Sequence, residues 1–171
     1  AGNQSDVVTQ TQGGAIILVT SAGDLTLSDG GDSDTVSVSA NGAGVILLHS
    51  AADMMITAGV QSDSGHITVL GNNDINQSAT GDIHVLGGSG TVDVEAINGA
   101  ITMVDGALTR THDANIRYQA QTDVVLASLD AGTGSMSLRA HSGAISDGGD
   151  MDIDLVASEL RLVAAGNMGE M

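Results

Sequence analysis

Cysteine, proline, tryptophan, phenylalanine and lysine are all absent from this chain of 171 residues, and Tyr118 is its one aromatic. Each absence excludes something. Without cysteine there is neither a disulfide framework nor a thiolate metal site. Without lysine, 4 basic residues face 21 acidic ones, and the formal net charge is -17. Nucleic acid and anionic membrane surfaces need basic patches, so neither is an expected partner. No apolar run approaches the ~18 residues of a bilayer span, so no membrane insertion is expected. Aromatic rings normally fill part of a globular core, because each buries so much area. A core built without them points to thin, regular packing of aliphatic side chains. Yet 42% of the residues are hydrophobic, too many for a disordered acidic tail. Ala1 is not followed by a basic and then an apolar leader region, so any signal peptide is expected upstream or already removed.

What is present is glycine, 24 residues of it, and a repeating pattern. A small or turn residue is followed by apolar–x–apolar, as in Gly23-Asp24-Leu25-Thr26-Leu27, Gly65-His66-Ile67-Thr68-Val69, Gly81-Asp82-Ile83-His84-Val85 and Gly134-Ser135-Met136-Ser137-Leu138. Short alternating runs broken by glycine read as strands and turns, and no stretch carries a 3.6-residue period. The first inward residues of the segments run from Ile16 and Leu25 through Val36, Val45, Met54, Val60 and Ile67 to Ile145, Ile153 and Leu160. Taken in threes, they give coils of about 24 residues. A longer echo at about 70 residues matches Ile56 with Leu126, Ile75 with Ile145 and Ile83 with Ile153.

The predicted fold is all-β: a right-handed parallel β-helix (β-solenoid) of about six to seven coils, three short strands per coil, and essentially no helix. Each strand stacks on its counterpart about 4.8 Å along the axis. The first face is predicted to point Ile16, Val45, Ile67, Val92, Ile116, Met136 and Leu160 inward, with Leu18, Leu47, Val69, Val94, Tyr118, Leu138 and Leu162 as its second inward column. A narrow interior leaves little room for rings, so Tyr118 calls for a widened coil or an outward turn. Proline cannot donate to a two-sided ladder, which fits its absence. A hairpin β-sandwich would also show strands at this spacing, but not the 24-residue register. Asp6-Val7-Val8 reads as a strand, and Ala165-Gly166-Asn167-Met168 as the turn into another second-face strand, so the chain is expected to be a single solenoid domain or fragment, 1–171, open at both ends.

Segments such as Gly99-Ala100-Ile101-Thr102-Met103-Val104-Asp105-Gly106, Gly143-Ala144-Ile145-Ser146-Asp147-Gly148 and Leu160-Arg161-Leu162-Val163-Ala164-Ala165-Gly166-Asn167-Met168-Gly169 resemble the repeats of giant secreted bacterial surface proteins, the filamentous-haemagglutinin-like and β-strand-repeat adhesins. The resemblance runs from about Gly13 onward. It implies a secreted right-handed β-helix stalk at the cell surface, used in adhesion, biofilm matrix or filaments, and no catalytic residues.

Aspartates precede many strands: Asp24, Asp53, Asp74 and Asp123 on the second face, Asp32/Asp34, Asp82 and Asp152 on the third. Aspartate suits turns, because its carboxylate accepts nearby backbone N–H groups. Two clusters are denser. Asp29, Asp32 and Asp34 surround one Gly-Gly, and Asp147, Asp150, Asp152 and Asp154 surround another. Oxygen-rich turns suit calcium, so both are candidate calcium sites, although neither matches the glycine-rich calcium nonapeptide. No other cofactor is expected. The histidines His49, His66, His84, His112 and His141 read as surface or turn residues, with His84 pointing outward. No nucleophile elbow and no phosphate loop occur, so the chain reads as a non-enzyme. The outward columns are not threonine arrays, which sets ice binding aside. Ile17, Ile46, Met55 and Val125 are the candidate lateral contacts, with Ile17 and Ile46 as outward neighbours on consecutive coils. The functional expectation is a structural and adhesive segment whose partners are neighbouring solenoid domains or copies of itself, and surface glycans. The alternatives are a head-to-tail filament subunit and a carbohydrate-binding or carbohydrate-cleaving β-helix.

Overall fold

The structure, a computed structural model, describes residues 6–11, 13–31, 34–149 and 152–169. Among these residues there is no helix, and every strand pairing is parallel. Three sheets run the length of the molecule, two of seven strands and one of six, and each strand pairs with the strand three places on in the chain. This is a parallel β-solenoid with coils of about 24 residues. The first face is built by Ile16–Val19, Ile46–Ser50, Ile67–Gly71, Val92–Ala96, Ile116–Ala120, Ser135–Ala140 and Glu159–Ala164. The second face runs from Leu25–Leu27 to Ile145–Asp147, and the third from Val7–Val8 to Leu155–Val156. Val7 pairs with Val38, and Met168 bridges to Ile145 in parallel, so the anticipated strand and turn near the two ends both form.

The core is one continuous stack of aliphatic side chains. Val92, Ile116 and Met136 lie over one another on the first face, and Ile75, Ile101 and Val124 on the second; all are buried. Because alternate residues of a strand point to opposite faces, a one-residue slip moves a side chain from core to solvent. Five inward positions differ from expectation, three by a one-residue slip and two by a two-residue shift. Ile16 pairs with Ile46, not Val45, so Ile46 is only 2% exposed while Val45 faces solvent. Leu48 then takes the inward place expected of Leu47. On the third face a bulge lies between Val36 and Val38, and Val38 occupies the core. Thr109 rather than Leu108 joins the column between Ile83 and Leu129. Leu155 pairs with Leu129, leaving Ile153 75% exposed in the turn before it.

Of the two expectations for Tyr118, a widened coil or an outward turn, the outward turn is corrected. The ring is fully buried, stacked between Val94 and Leu138. Its hydroxyl lies 2.7 Å from Thr109 Oγ1 and donates to Gln77 Oε1 at 3.1 Å. Gln77 Nε2 donates to Thr109 Oγ1 and to the Leu108 carbonyl. Gln77 comes from the second face, Thr109 from the third and Tyr118 from the first. A polar brace joins the three sheets where one ring spans the interior. Burying a hydroxyl is tolerable only with such partners.

Corner residues are constrained as tightly as the core. A methyl group placed on Gly44 would meet the Gly14 carbonyl, one on Gly65 the Gly44 carbonyl, and one on Gly90 the Gly65 carbonyl. These glycines stack directly where the third face turns into the first, and the missing side chain lets successive coils close to ladder distance.

Candidate functional site

The outer surface of the first face carries two rows of side chains. Pairing places Ile17, Leu47, Thr68, Asp93, Arg117, Ser137 and Arg161 in one, and Val19, His49, Leu70, Glu95, Gln119, Arg139 and Val163 in the other. The wall therefore divides along its axis. One half is largely aliphatic: Ile17 is 64% exposed, Val19 is also exposed, and Leu47 and Leu70 are half-buried, with Thr68 and His49 among them. The other half holds three of the four arginines.

Of the expected lateral contacts, Ile17 stands on this wall and Ile46 does not, because its side chain is in the core. Leu47 occupies the place beside Ile17. Met55 and Val125 lie in the outward row of the second face, Met55 exposed and Val125 half-buried, separated by Asn76 and Thr102.

Arg117 is fully engaged. Its Nε donates to Asp93 Oδ1 at 2.7 Å, Nη2 to Asp93 Oδ2 and Glu95 Oε2 at 2.9 Å each, and Nη1 to Gln119 Oε1 at 3.0 Å. The Asp93 bonds, above all, push the Arg117 pKa still higher. Arg110, on the third face, pairs with Asp130 at 2.8 Å. Among the described residues, neither Arg139 nor Arg161 enters an ion pair. Arg139 Nε is shielded from solvent without a hydrogen-bond partner among those residues. Beside this charged half runs an open groove of about 590 Å³, lined by Thr91, Asn115, Ser135 and Ser137 together with Asp93, Arg117, Glu159 and Arg161.

The turn aspartates act between coils as well as within them. The Asp53 N–H donates to Asp24 Oδ1, Asp74 N–H to Asp53 Oδ1, Ala100 N–H to Asp74 Oδ1 and Ala144 N–H to Asp123 Oδ1, at 2.7–3.2 Å. Asp82 and Asp113 do the same for the N–H groups of Leu108 and Thr133. The Thr133 bond, more than any other influence, holds Asp113 below the usual carboxylate range. Each carboxylate thus accepts a corner N–H of the following coil, a group that the strand ladder does not satisfy.

The calcium candidates fare differently. Ligand oxygens of Asp6, Asp29 and Asp34 lie within 4.8 Å of one another. Asp32 and Asp150 fall outside the described residues. Among the described residues, Asp147, Asp152 and Asp154 join no comparable group of three; Asp147 Oδ1 accepts the Gly149 N–H instead. Asp6 carries no sequence signal toward this cluster, because only the pairing of Val7 with Val38 brings it beside the Asp34 turn. His84 points outward on the third face but is half-buried, and burial lowers its pKa, opposed by Asp82.

Gln77, Thr109 and the outward aliphatics Val19 and Leu70 escaped sequence reading. A signal for the first two existed: Gln77 and Thr109 are polar residues in otherwise apolar inward columns. No protein-family model matches the chain, no curated protein is found similar to it, and no solved structure matches its fold.

Proposed function

We propose that this chain is a structural and adhesive segment of a large extracellular protein at the cell surface or in a biofilm matrix, in the form of a right-handed solenoid. The observation that supports this reading is the unbroken aliphatic stack flanked by three continuous sheets. Such a stack gives a stiff rod, each coil contacting its neighbours alone. The charge of -17 keeps the rod soluble. Partners are adjoining solenoid domains or further copies, and surface glycans. The role is non-catalytic: Asp93 and Glu159, the acids of the groove, stand three rungs apart, roughly 14 Å, beyond the ~5–9.5 Å of paired glycosidase carboxylates. Antibody labelling of intact cells of the source organism tests the reading; signal only after cell lysis removes it.

A filament subunit is the second reading. It is supported by the outward aliphatic side chains of the first face, where Ile17 is 64% exposed and Val19 is also exposed. Negative-stain microscopy should then show fibres. Ile17→Lys combined with Leu47→Lys should abolish lateral bundling of such fibres while leaving their length unchanged; unchanged bundles would exclude this wall as the contact.

Calcium remains part of the proposal at the Asp6, Asp29 and Asp34 corner, whose donors are all hard oxygens. Calcium is expected to raise the melting temperature, and Asp34→Asn to remove the increase. Identical melting curves in calcium and in EDTA would eliminate this part.

A further inference from the structure

We propose that a recess on the outer wall of the third face binds a primary ammonium group, the group that a lysine side chain or a small alkyl diamine carries. This goes beyond the structural role above and does not depend on it.

The recess exists because of Gly59. Val60 and Ile83 are fully buried, and strand alternation turns their neighbours Gly59, Gln61, Asp82 and His84 outward. Val60 pairs with Ile83 and Gln61 with His84, so Gly59 stands beside Asp82 with no side chain to fill its place. What remains is a space of about 190 Å³ bounded by Thr35, Gln61, Thr80, Asp82 and His84.

Hydrogen bonding selects the ligand. Nearly every donor at the recess already has a partner inside the protein. Thr35 Oγ1 donates to the Asp34 carbonyl, and Thr80 Oγ1 to the Thr57 carbonyl. The Val36 N–H donates to Asp34 Oδ1, and the Gly59 N–H to the Thr35 carbonyl at 2.7 Å. Gln61 Nε2 donates to Ser39 Oγ. Acceptors are in surplus. Asp82 Oδ1 accepts the Leu108 N–H, while Asp82 Oδ2 and Gln61 Oε1 have no partner among the described residues. An anion would meet a carboxylate and almost no free donor. An ammonium group brings three N–H donors and a positive charge to these acceptors.

Charge agrees with this choice. Asp82 is the one carboxylate that lines the recess. His84 beside it is half-buried, and burial lowers its pKa, so it is neutral at pH 7 and does not repel a cation. Its Nε2 is shielded, out of reach of a metal ion entering from solvent. Arg110, the neighbour of His84 on the next coil, is neutralised by Asp130. The net charge of -17 draws cations from a distance. The chain contains no lysine, so none of its own side chains supplies the group.

The test uses the whole chain, with butylammonium as the probe and butyltrimethylammonium as the control, which has the same charge and alkyl chain but no N–H. Nuclear magnetic resonance at pH 7 in EDTA should show saturable shifts of the Gly59, Gln61, Asp82 and His84 amides with the probe alone. Asp82→Asn keeps an acceptor for the Leu108 N–H and loses the charge; it should weaken binding at least about tenfold. Gln61→Glu adds a second carboxylate and should tighten binding. Asp24→Asn makes the same change in net charge on another face and should bind as the original does. Unchanged melting curves verify that the variants are folded. Equal saturation by the quaternary cation, undiminished binding by Asp82→Asn, or equal weakening by Asp24→Asn would each overturn the proposal. So would displacement of the amine by zinc chloride without EDTA, which would assign the recess to a metal ion. A blocked Gly-Lys-Gly peptide compared with cadaverine then separates the two sources. Tighter peptide binding supports the proposal with a partner protein's lysine as the source, and tighter cadaverine binding supports it with a free amine. None of these outcomes bears on the surface labelling that tests the stalk reading.

Discussion

Replacing Tyr118 with alanine is expected to cost more stability than any other single truncation in the core. The ring is fully buried in a column of smaller side chains. Its removal leaves a cavity of a size that costs about 3–5 kcal/mol. The same change deprives Gln77 and Thr109 of their shared partner, adding about 1–3 kcal/mol for buried polar groups left short. Since a whole domain is stable by only about 5–15 kcal/mol, the variant is expected to be unfolded or nearly so at 37 °C. Tyr118→Phe separates the two contributions. It keeps the ring, and Gln77 can still bond to Thr109 at 3.2 Å, so a loss of about 1–2 kcal/mol is expected. Urea denaturation followed by far-ultraviolet circular dichroism measures both, and an alanine variant within about 1 kcal/mol of the original would contradict the cross-brace.

The phenol adds a pH signature. Burial pushes its pKa far above the ordinary 10.0. A proton is held by the folded state and lost from the unfolded one, so stability is flat below about pH 10 and falls as pH rises beyond it. Tyrosinate absorbance should therefore rise together with loss of the β signal, in one transition. With no other aromatic in the chain, this signal is unambiguous. Ionisation well before unfolding would place the ring in solvent.

The second large effect is expected at Gly65. An added methyl meets the Gly44 carbonyl, with further close contacts to the Gly44 carbonyl carbon at 2.5 Å and the Ala43 oxygen at 2.9 Å. Backbone cannot rotate away as a flexible side chain can. The coils must separate at that corner, which strains the hydrogen bonds from Ile46 N–H to His66 and from Ile67 N–H to Thr91. Gly65→Ala is expected to cost about 3 kcal/mol, and Gly65→Val more. Gly87→Ala is the control: its nearest contact is an ordinary 3.5 Å and its φ is not positive, so it should be neutral or stabilise by about 0.4–1 kcal/mol. Ala114 shows how local the constraint is. It precedes Ile116 as Gly65 precedes Ile67 and Gly90 precedes Val92, and there a methyl is accommodated. Equal melting temperatures for the Gly65 and Gly87 variants would mean that corner packing does not limit stability.

Much of the fold could be read from the chain because it is one-dimensional. Ile67, Val92, Ile116, Met136 and Leu160 recur at nearly constant spacing, and each contacts its counterpart one coil away. Period alone then places side, face and neighbour. The reading fails where a turn changes length. Before Ile46 one residue decides which of two adjacent aliphatics, Val45 or Ile46, enters the core, and their near-equal hydrophobicity gives no preference. Before Leu155 a longer turn turns Ile153 out to solvent. The candidate site was less legible for the same reason. The proximity of Arg139 to Arg161 and the engagement of Arg117 depend on register across several turns.

By itself, then, the sequence determined the class of architecture: a narrow, acidic, three-faced stack whose interior excludes most rings and whose paired strands exclude proline. Side-chain volume and ladder chemistry impose that locally, coil by coil. The tertiary structure decided what lies between coils. It set which of two neighbouring residues faces in, that Tyr118 meets Gln77 and Thr109 inside the core, that Asp6 reaches Asp29 and Asp34, and that two arginines are left together on one wall. These depend on the accumulated register of turns of unequal length, a quantity that no single segment contains.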